Sequence, residues 1–248
     1  MNTDTDKKIQ GIVLDWAGTI VDFGSLAPMG AFVELFGRHQ IDITIAEARV
    51  PMGLPKIDHI VALASLPKVA HQWRSHYGRS FQFKDAQNLL LEFEPMSAHA
   101  ALERSDFIPG FMSAYRELTA QGIGFATTTG YTRKIMNPLI ERAAAQGFHP
   151  ALVVCCDDVL RSRPDPMGVE NCLAAMHLSG QAHQVIKVDD TAPGLAEGLA
   201  AGCWTVGVAA SGNALGWSHA EWLNASASER LQALVPAVAK LQAAGAHE

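Results

Sequence analysis

The sequence predicts an α/β fold in which a parallel sheet forms the core and a helical cap is inserted after the first strand. Short apolar runs alternate with helical patterns along the 248 residues, an order typical of parallel sheets. More than a hundred residues separate the first two apolar runs, far more than one crossover helix needs. Polar residues directly follow several of these runs, at the sheet edge where such folds bind their ligands.

Five apolar runs are the candidate strands of this sheet. They cover residues 9–15, 124–128, 151–155, 184–189 and 204–208. The first, second and fourth runs end in a carboxylate or in a run of threonines. Because the carboxyl ends of parallel strands meet at one edge of a sheet, we expect these polar side chains to lie close together.

The segment between the first two strands carries the signals of several helices. Pro28 can open a helix and Gly37 can stop it. Thr44 and Glu47 have the spacing of a capping box, and Pro55 can sit in the first turn of a further helix. These signals together predict a helical cap over the ligand site.

The predicted cap interrupts the core domain in the chain. A length of 248 residues fits one large domain that carries an insert. We predict a core domain of residues 1–22 and 104–248 and a cap domain of residues 23–103.

The composition excludes several classes of protein. Hydrophobic residues make up 48% and charged residues 18%, which favours a packed core over a disordered or fibrous chain. The net charge of −6 argues against nucleic-acid and membrane-surface partners. The first apolar run is too brief for a signal peptide, and the uncharged stretch 198–220 is interrupted by glycines. We therefore expect a cytoplasmic protein with neither nucleic-acid nor membrane partners.

The cysteines and histidines argue against disulfides and against zinc. Cys155, Cys156, Cys172 and Cys203 form no CxxC pair, so we expect four reduced core residues. The histidines show no HExxH spacing, so we expect no zinc site.

The first chemical motif is Asp15-Trp-Ala-Gly-Thr19, directly after the first predicted strand. A carboxylate at a strand end, followed by glycine, can act as a nucleophile or bind a metal ion. The same aspartate could instead cap a helix, and this motif alone leaves both interpretations open.

The second and third motifs carry groups suited to a phosphate. Residues 127–132 are Thr-Thr-Thr-Gly-Tyr-Thr, and hydroxyls with free backbone N–H groups at a strand-to-helix turn suit a phosphate. Arg163 precedes Asp165 and Pro166, a good helix start, and would place a cation near the sheet edge. A capping threonine cluster and a surface arginine are the alternatives.

The fourth motif is the pair Asp189-Asp190 at the end of the fourth predicted strand. Two adjacent acids repel each other, so they usually face water or a cation. Mg²⁺ prefers carboxylates together with waters.

Together and in this order, the four motifs resemble those of the haloacid dehalogenase (HAD) superfamily of aspartate-nucleophile phosphotransferases. The resemblance spans nearly the whole chain and implies a HAD-like Rossmannoid parallel sheet core with a helical cap inserted after the first strand. It also implies that Asp15 is the nucleophile and that the cofactor is Mg²⁺, held by Asp15, Ala17 and Asp190.

A closer resemblance is to the phosphonatase branch, which cleaves the carbon–phosphorus bond of phosphonoacetaldehyde. It rests on residues 15–19, on Pro-Met-Gly-Leu-Pro-Lys-Ile-Asp-His at 51–59, and on Thr-Thr-Gly-Tyr-Thr-Arg at 128–133. Most HAD phosphatases carry a second aspartate two positions after the nucleophile, where this chain has Ala17. That acid protonates an alcohol, whereas a carbon leaving group needs an electron sink such as a lysine iminium.

The resemblance places that lysine at Lys56. Its position in the first turn of a predicted helix disfavours the ammonium form, and burial under a cap would lower its pKa further. His59 shares the helix face of Lys56 and could relay protons. Without the resemblance, these would be a solvated charge and an ordinary surface histidine. The residues implied to bind the phosphoryl group or the substrate are Gly18, Met52, Thr128, Thr129, Tyr131 and Arg163.

The chain departs from the family pattern in the fourth motif. The position four residues after Asp190, usually an acid, is Gly194, and the residue before Asp190, often glycine, is Asp189. Either a carboxylate has moved to position 189, or the metal is bound more weakly.

The resemblance implies a homodimer that hydrolyses phosphonoacetaldehyde, through a Schiff base on Lys56 and an aspartyl-phosphate on Asp15, to acetaldehyde and phosphate. One alternative is another HAD phosphohydrolase that acts on a related phosphonate or on a phosphate ester, and Ala17 argues against the ester. The second alternative is a non-catalytic HAD-fold protein that binds a phosphate ligand, which Gly194 keeps open.

Overall fold

The computed structural model describes residues 8–248, and in this range five parallel strands form one sheet in the order β3-β2-β1-β4-β5. The α/β fold with a parallel core sheet and a helical insert after the first strand is confirmed. Residues 1–7 of the predicted core segment lie outside the described residues. The strands are β1 (Gly11–Leu14), β2 (Gly124–Thr128), β3 (Val153–Val154), β4 (Val185–Asp189) and β5 (Trp204–Gly207).

The observed strands lie where the sequence predicts them, but most are shorter. β1 lacks the predicted end residues, although the backbone N–H of Asp15 still donates to the carbonyl of Val188 at 3.0 Å. β3 keeps only two residues and pairs with β2 at one edge of the sheet. The register pairs Leu14 with Thr127 on one side and with Val188 on the other. The residues that follow these three therefore emerge at one level of the sheet edge.

The insert after β1 is helical, as predicted, with two differences at its helix ends. The first helix continues through Gly37 to Arg38, because a glycine in the last turn does not by itself stop a helix. Pro55 precedes the third helix as its N-cap, so Lys56 is the first helical residue. The predicted capping box of Thr44 and Glu47 is confirmed. The helices are α1 (Ala27–Arg38), α2 (Ile45–Arg49), α3 (Lys56–Ala64), α4 (Pro67–Tyr77) and α5 (Phe83–Glu103).

The insert has its own apolar interior and joins the core through two adjacent chain crossings. Phe32 of α1 stacks on Phe93 of α5, with ring centroids 4.3 Å apart. At the base of the insert, Val21 pairs antiparallel with Phe107, and the carbonyl of Ile20 accepts the N–H of Ile108 at 2.9 Å. The two crossings thus lie side by side, while the division at residues 23–103 stays a prediction.

The remaining helices flank the sheet. The predicted helix start at Asp165 and Pro166 is displaced, because the helix begins at Met167 with Pro166 as its N-cap. Asp165 still contributes, since its Oδ1 accepts the N–H of Met167 at 3.1 Å. These helices are α6 (Phe111–Ala120), α7 (Arg133–Ala145), α8 (Met167–Ala175), α9 (Ala192–Ala201), α10 (His219–Asn224) and α11 (Ala227–Ala243), with a 3₁₀ turn at Ala182–Gln184.

The cysteines are free, as predicted. Cys155, Cys172 and Cys203 are buried, while Cys156 is only partly buried and so differs from the expected core position. Within residues 8–248, no helix has both the length and the apolar character needed to cross a membrane.

Candidate active site

The sheet edge collects the predicted polar residues into one buried site. Asp15 follows β1, Thr129 follows β2 and Asp190 follows β4. Because β1 lies between β2 and β4, the chain leaves β1 at the point where the strand order reverses, which is where open α/β sheets bind ligands. The insert closes over this edge with the loop before α3. The cavity between them is lined by Asp15, Ala17, Met52, Gly53, Lys56, Thr129, Gly130, Tyr131, Arg163 and Thr191.

Asp15 is buried against a cation. Its Oδ1 lies 2.9 Å from Nη1 of Arg163. Burial and the neighbouring charge of Asp189 raise the pKa of Asp15 to about 6, although Arg163 partly opposes the shift. Asp15 is therefore a carboxylate at neutral pH, held on the wall of the cavity.

Three carboxylates converge at this point. Ligand atoms of Asp15, Asp189 and Asp190 lie within 4.8 Å of one another. Oδ2 of Asp190 accepts the backbone N–H of Asn213 at 2.7 Å, whereas Oδ1 is buried and has no hydrogen-bond partner among the described residues. Burial, then Asp15 and Asp189, raise the pKa of Asp190 well above its usual range. A cation at this point would relieve the repulsion and satisfy the free oxygen, so the donor set fits a hard metal ion.

Gly18 makes room for this arrangement. Its φ of +85° lies in the left-handed region, and a Cβ on this residue would overlap the carboxylate of Asp190. The carbonyl of Gly18 accepts the hydroxyl of Ser211 at 2.8 Å, which fixes the loop after β1. Gly18 therefore acts by permitting a close approach.

Arg163 is held in place by the core. Its Nη2 donates to the carbonyl of Thr128 at 2.8 Å, and its Nε lies 3.0 Å from Oε2 of Glu197. Burial lowers the pKa of Arg163, but the anions Asp189, Asp15 and Glu197 outweigh it and raise that pKa overall. The guanidinium is consequently a fixed positive charge beside Asp15.

The two threonines of the second motif point in different directions. The hydroxyl of Thr128 donates to Glu197 at 2.8 Å and accepts from Arg163 at 2.7 Å and from Lys187 at 2.9 Å. All of the hydrogen bonds of this hydroxyl are therefore made inside the core, and Thr128 does not line the cavity. Thr129 does line the cavity, and its hydroxyl accepts the N–H of Tyr131 at 3.2 Å. The geometry favours Thr129 over Thr128 as a substrate contact.

The insert contributes Lys56 to the cavity. Its side chain is buried, with Nζ over the rings of Tyr131 at 4.8 Å and of Phe32 at 5.8 Å from the centroids. Burial is the main cause that lowers the pKa of Lys56 to about 8, below the 10.5 of an ordinary lysine. A sizeable fraction of this amine is neutral near pH 7.5, and a neutral amine is a nucleophile.

His59 is near Lys56 in sequence but does not line the cavity. Its Nε2 lies 2.8 Å from the carbonyl of Ala48, which fixes the proton on that nitrogen, and its ring stacks on Phe32 at 3.9 Å. Burial, and then the charge of Lys56, lower the pKa of His59 to about 2. A base of this strength holds protons poorly at neutral pH, so the geometry does not support the predicted relay. His59 instead supports the first turns of α3.

Two buried residues of the site were not predicted from the sequence. Lys187 lies in the middle of β4 and Glu197 lies in α9, and both are buried beneath Arg163. A signal existed for Lys187, since a charged residue in an otherwise apolar central strand needs a buried partner. The same signal existed for Glu197, the one charged residue in the otherwise apolar helix α9.

Proteins that resemble this chain in sequence point to one enzyme family. The sheet order, the helical insert and the buried acids define a HAD-type hydrolase, and the family model for haloacid dehalogenase-like hydrolases matches residues 9–202. Phosphonoacetaldehyde hydrolase of Paraburkholderia xenovorans is 44% identical over 97% of this chain and 90% of its own length. The enzyme of that name from Hahella chejuensis is 42% identical over 96% and 81%.

A solved structure matches over the full chain. The phosphonoacetaldehyde hydrolase like protein of Oleispira antarctica superposes with a TM-score of 0.96 at 40% identity, covering 100% of this chain and 89% of its own. The chain belongs to the phosphonoacetaldehyde hydrolase family of the haloacid dehalogenase-like hydrolases.

The free oxygen of Asp190 leads to a first prediction. Asp190→Asn replaces a buried carboxylate by a neutral amide, which attracts a hard cation less strongly. We expect the Kd for Mg²⁺, measured by calorimetry on the metal-free protein, to rise by at least the roughly 10- to 100-fold typical of outer-sphere losses.

The matched control is Asp106→Asn. This aspartate is 85% exposed and pairs with Arg142 on the surface, so the same chemical change should leave Mg²⁺ binding as it is. Unaltered Mg²⁺ binding in Asp190→Asn would show that Asp190 is not a metal ligand.

Proposed function

We propose that this protein hydrolyses the carbon–phosphorus bond of phosphonoacetaldehyde, giving acetaldehyde and phosphate. The observation that carries the proposal is a buried amine of lowered pKa, Lys56, in the same cavity as the buried carboxylate of Asp15. The first group suits an aldehyde and the second suits a phosphorus centre. The family membership supports the same substrate, since relatives that are 41–44% identical to this chain are named phosphonoacetaldehyde hydrolase.

The aldehyde end of the substrate reacts with Lys56. The neutral amine adds to the carbonyl carbon, and uptake of one proton from solvent with loss of one water gives a protonated imine on Nζ. The apolar faces of Phe32 and Tyr131 surround this nitrogen. Because such surroundings destabilise an isolated ammonium, they keep part of the amine neutral and ready to add.

The phosphoryl end reacts with Asp15. One carboxylate oxygen attacks phosphorus while the carbon–phosphorus bond breaks, and the electron pair of that bond flows into the iminium. The products are an enamine on Lys56 and an aspartyl-phosphate on Asp15. Arg163, 2.9 Å from Asp15, offsets the negative charge that gathers on the phosphoryl oxygens, and the backbone N–H groups near Thr129 can donate to them.

A divalent cation, which we propose to be Mg²⁺, fits this reaction. The residues that would hold it are Asp15 and Asp190, with the carbonyl of Ala17 implied as a further ligand. When bound, such an ion neutralises charge shared between the attacking carboxylate and the phosphoryl oxygens.

Water completes both halves of the reaction. The enamine takes a proton on carbon, and water then hydrolyses the imine to acetaldehyde and free Lys56. A second water hydrolyses the aspartyl-phosphate to phosphate and restores Asp15. One water is released and two are consumed, so the net reaction consumes one. A neighbouring cavity of about 210 Å³ shares Met52 and Thr191 with the site and offers a route for water.

Substrate entry requires the insert to move. The cavity has a volume of about 20 Å³, which holds about one water and not a phosphonate. Met52, Gly53 and Lys56 line it from the insert, whereas Asp15 and Arg163 line it from the core. Separation of these two walls would open the site, and closure around the substrate would exclude water from the attack.

Ala17 favours this reaction over hydrolysis of a phosphate ester. It is buried and lines the cavity next to Asp15, at the place where an ester hydrolase of this superfamily would need an acid for its leaving group. An enamine that forms by electron flow into an iminium needs no such acid. The homodimer and the cytoplasmic location that the resemblance implies stay predictions.

The lysine chemistry gives a direct test. Borohydride reduces an imine to a stable amine, so incubation with phosphonoacetaldehyde and borohydride should attach a two-carbon unit to Lys56, located by peptide mass. In Lys56→Arg the guanidinium cannot serve as a neutral amine, so trapping should vanish and turnover fall by orders of magnitude. Trapping in the wild type should increase with pH through a midpoint near 8, as the amine loses its proton.

Lys68→Arg is the matched control, because Lys68 lies on the surface of the insert with 48% of its side chain exposed. It should keep wild-type trapping and turnover. Near-wild-type release of acetaldehyde by Lys56→Arg would rule out the Schiff-base route.

The leaving-group argument gives another test, Ala17→Asp. The new carboxylate would lie beside Asp15 and a dianionic substrate, where like charge weakens binding. We expect slower cleavage of phosphonoacetaldehyde and a trace of activity on a generic phosphate ester, for which a general acid is typically worth about 10²–10⁴-fold.

Ala17→Asn has similar bulk without the acid, so comparing the two variants separates crowding from acid catalysis. If Ala17→Asp cleaved the phosphonate markedly faster than wild type, the alanine could no longer count as a sign of carbon–phosphorus cleavage.

A further inference from the structure

A buried charge cluster lies behind the cavity, on the side of the core. Its members are Arg163, Lys187, Asp189 and Glu197, all at most 5% exposed. Nζ of Lys187 lies 2.9 Å from Asp189 Oδ2 and 3.7 Å from Glu197 Oε2. Asp189 Oδ2 also lies 3.4 Å from Arg163 Nη2. The cluster therefore links the middle of β4 to the guanidinium that touches Asp15.

The two oxygens of Asp189 face groups of the protein in different ways, because Oδ1 accepts hydrogen bonds whereas Oδ2 lies at ion-pair distance from two cations without a hydrogen bond of good geometry. Oδ2 faces the two cations, and Oδ1 accepts the N–H of Thr191 at 3.0 Å and its hydroxyl at 2.7 Å. Oδ1 of Asp190, the next residue, has neither a hydrogen bond nor an ion pair among the described residues. The two adjacent acids thus face different partners.

The carboxylate of Asp189 fills the space where a side chain at position 194 would begin. Position 194 lies in the first turn of α9, whose N-cap Thr191 also binds Asp189. A Cβ built on Gly194 would overlap all three carboxylate atoms of Asp189. A side chain at 194 and a carboxylate at 189 therefore exclude each other. An acid placed at 194 would begin where the Asp189 carboxylate now lies.

We propose that Asp189 is a positioning residue for the reaction: it holds Arg163 against Asp15 by pairing with Lys187 and Arg163, and it does not ligate the metal. The space over Gly194 admits one acidic side chain, which can come from position 189 or from position 194 but not from both. The inference rests on the proposed function for the role of Arg163, and the tests below also read out metal binding and stability.

Asp189→Asn tests the role with little change in shape. Without the negative charge, Lys187 and Arg163 face each other with less compensation, and the guanidinium is held less firmly beside Asp15. We expect kcat to fall by about 10- to 100-fold, as for other outer-sphere partners. The KM for phosphonoacetaldehyde should change little, and the Kd for Mg²⁺ should remain that of the wild type within error.

Three results decide this first test. Lower kcat with unchanged Mg²⁺ binding supports the proposal. A rise in the Mg²⁺ Kd as large as that of Asp190→Asn would make Asp189 a metal ligand and overturn it. An unchanged kcat would also overturn it. If Asp189→Asn does not fold, Lys187→Met with Asp189→Asn removes both charges of the pair, and the same three results apply.

A transfer experiment tests the shared space over Gly194. Asp189→Gly with Gly194→Asp moves the acid, while Asp189→Gly with Gly194→Ala relieves the same overlap without an acid. We expect the pair that moves the acid to have the higher Tm and to regain kcat relative to Asp189→Gly alone, and the alanine pair to regain neither. Gly194→Asp alone should melt below the wild type, because two side chains then compete for one space.

Equal Tm and equal kcat in the two double variants would overturn the proposal that an acid at position 194 can replace Asp189. Failure of the proposed function gives a different pattern. In that case the wild type releases no acetaldehyde, while the Tm order of the variants and the Mg²⁺ titrations still report on Asp189.

Discussion

The burial of several carboxylates at one point is the constraint on which the rest of the site depends. β1 and β4 end at the same level, so Asp15, Asp189 and Asp190 meet with ligand atoms within 4.8 Å. Taken out of water together, like charges repel and raise one another's pKa. Two buried cations, Arg163 and Lys187, compensate part of this charge, and Oδ1 of Asp190 has neither a hydrogen bond nor an ion pair among the described residues, so it can bind a metal ion. Buried charges without such compensation would strongly destabilise the fold.

The two chemical halves of the site come from different parts of the chain. The sheet supplies Asp15 and Arg163, to which we assign the reaction at phosphorus, and the insert supplies Lys56, to which we assign the reaction at the aldehyde. Each half is ordinary on its own, since an aspartate at a strand end and a lysine at a helix start occur in many proteins. Their joint burial in one small cavity gives the pair its specificity for a substrate that carries both an aldehyde and a phosphonate.

The sequence was sufficient to predict the fold and the approximate composition of the site. Strand ends and helix caps are local signals, so the sheet edge carrying Asp15 and Asp190 could be predicted. Side-chain direction is not local. The hydroxyl of Thr128 turns inward because Glu197, 69 residues away, lies beneath it, and His59 turns into the insert because Ala48 offers a carbonyl. The partners of Lys187 likewise depend on how α9 packs against β4, which no short pattern encodes.

The burial of Lys56 by groups on both walls has a thermodynamic consequence for movement of the insert. The amine has a pKa of about 8 when enclosed and returns toward the ordinary 10.5 when water reaches it. A conformational equilibrium and a proton equilibrium that share one group are linked. At a pH between these two pKa values, closure of the insert releases a proton from Lys56 to the solvent. A lower pH therefore favours the open form and a higher pH favours the closed form. In the opening and closing movement that we propose, proton uptake by Lys56 therefore competes with closure of the insert, even before any substrate binds.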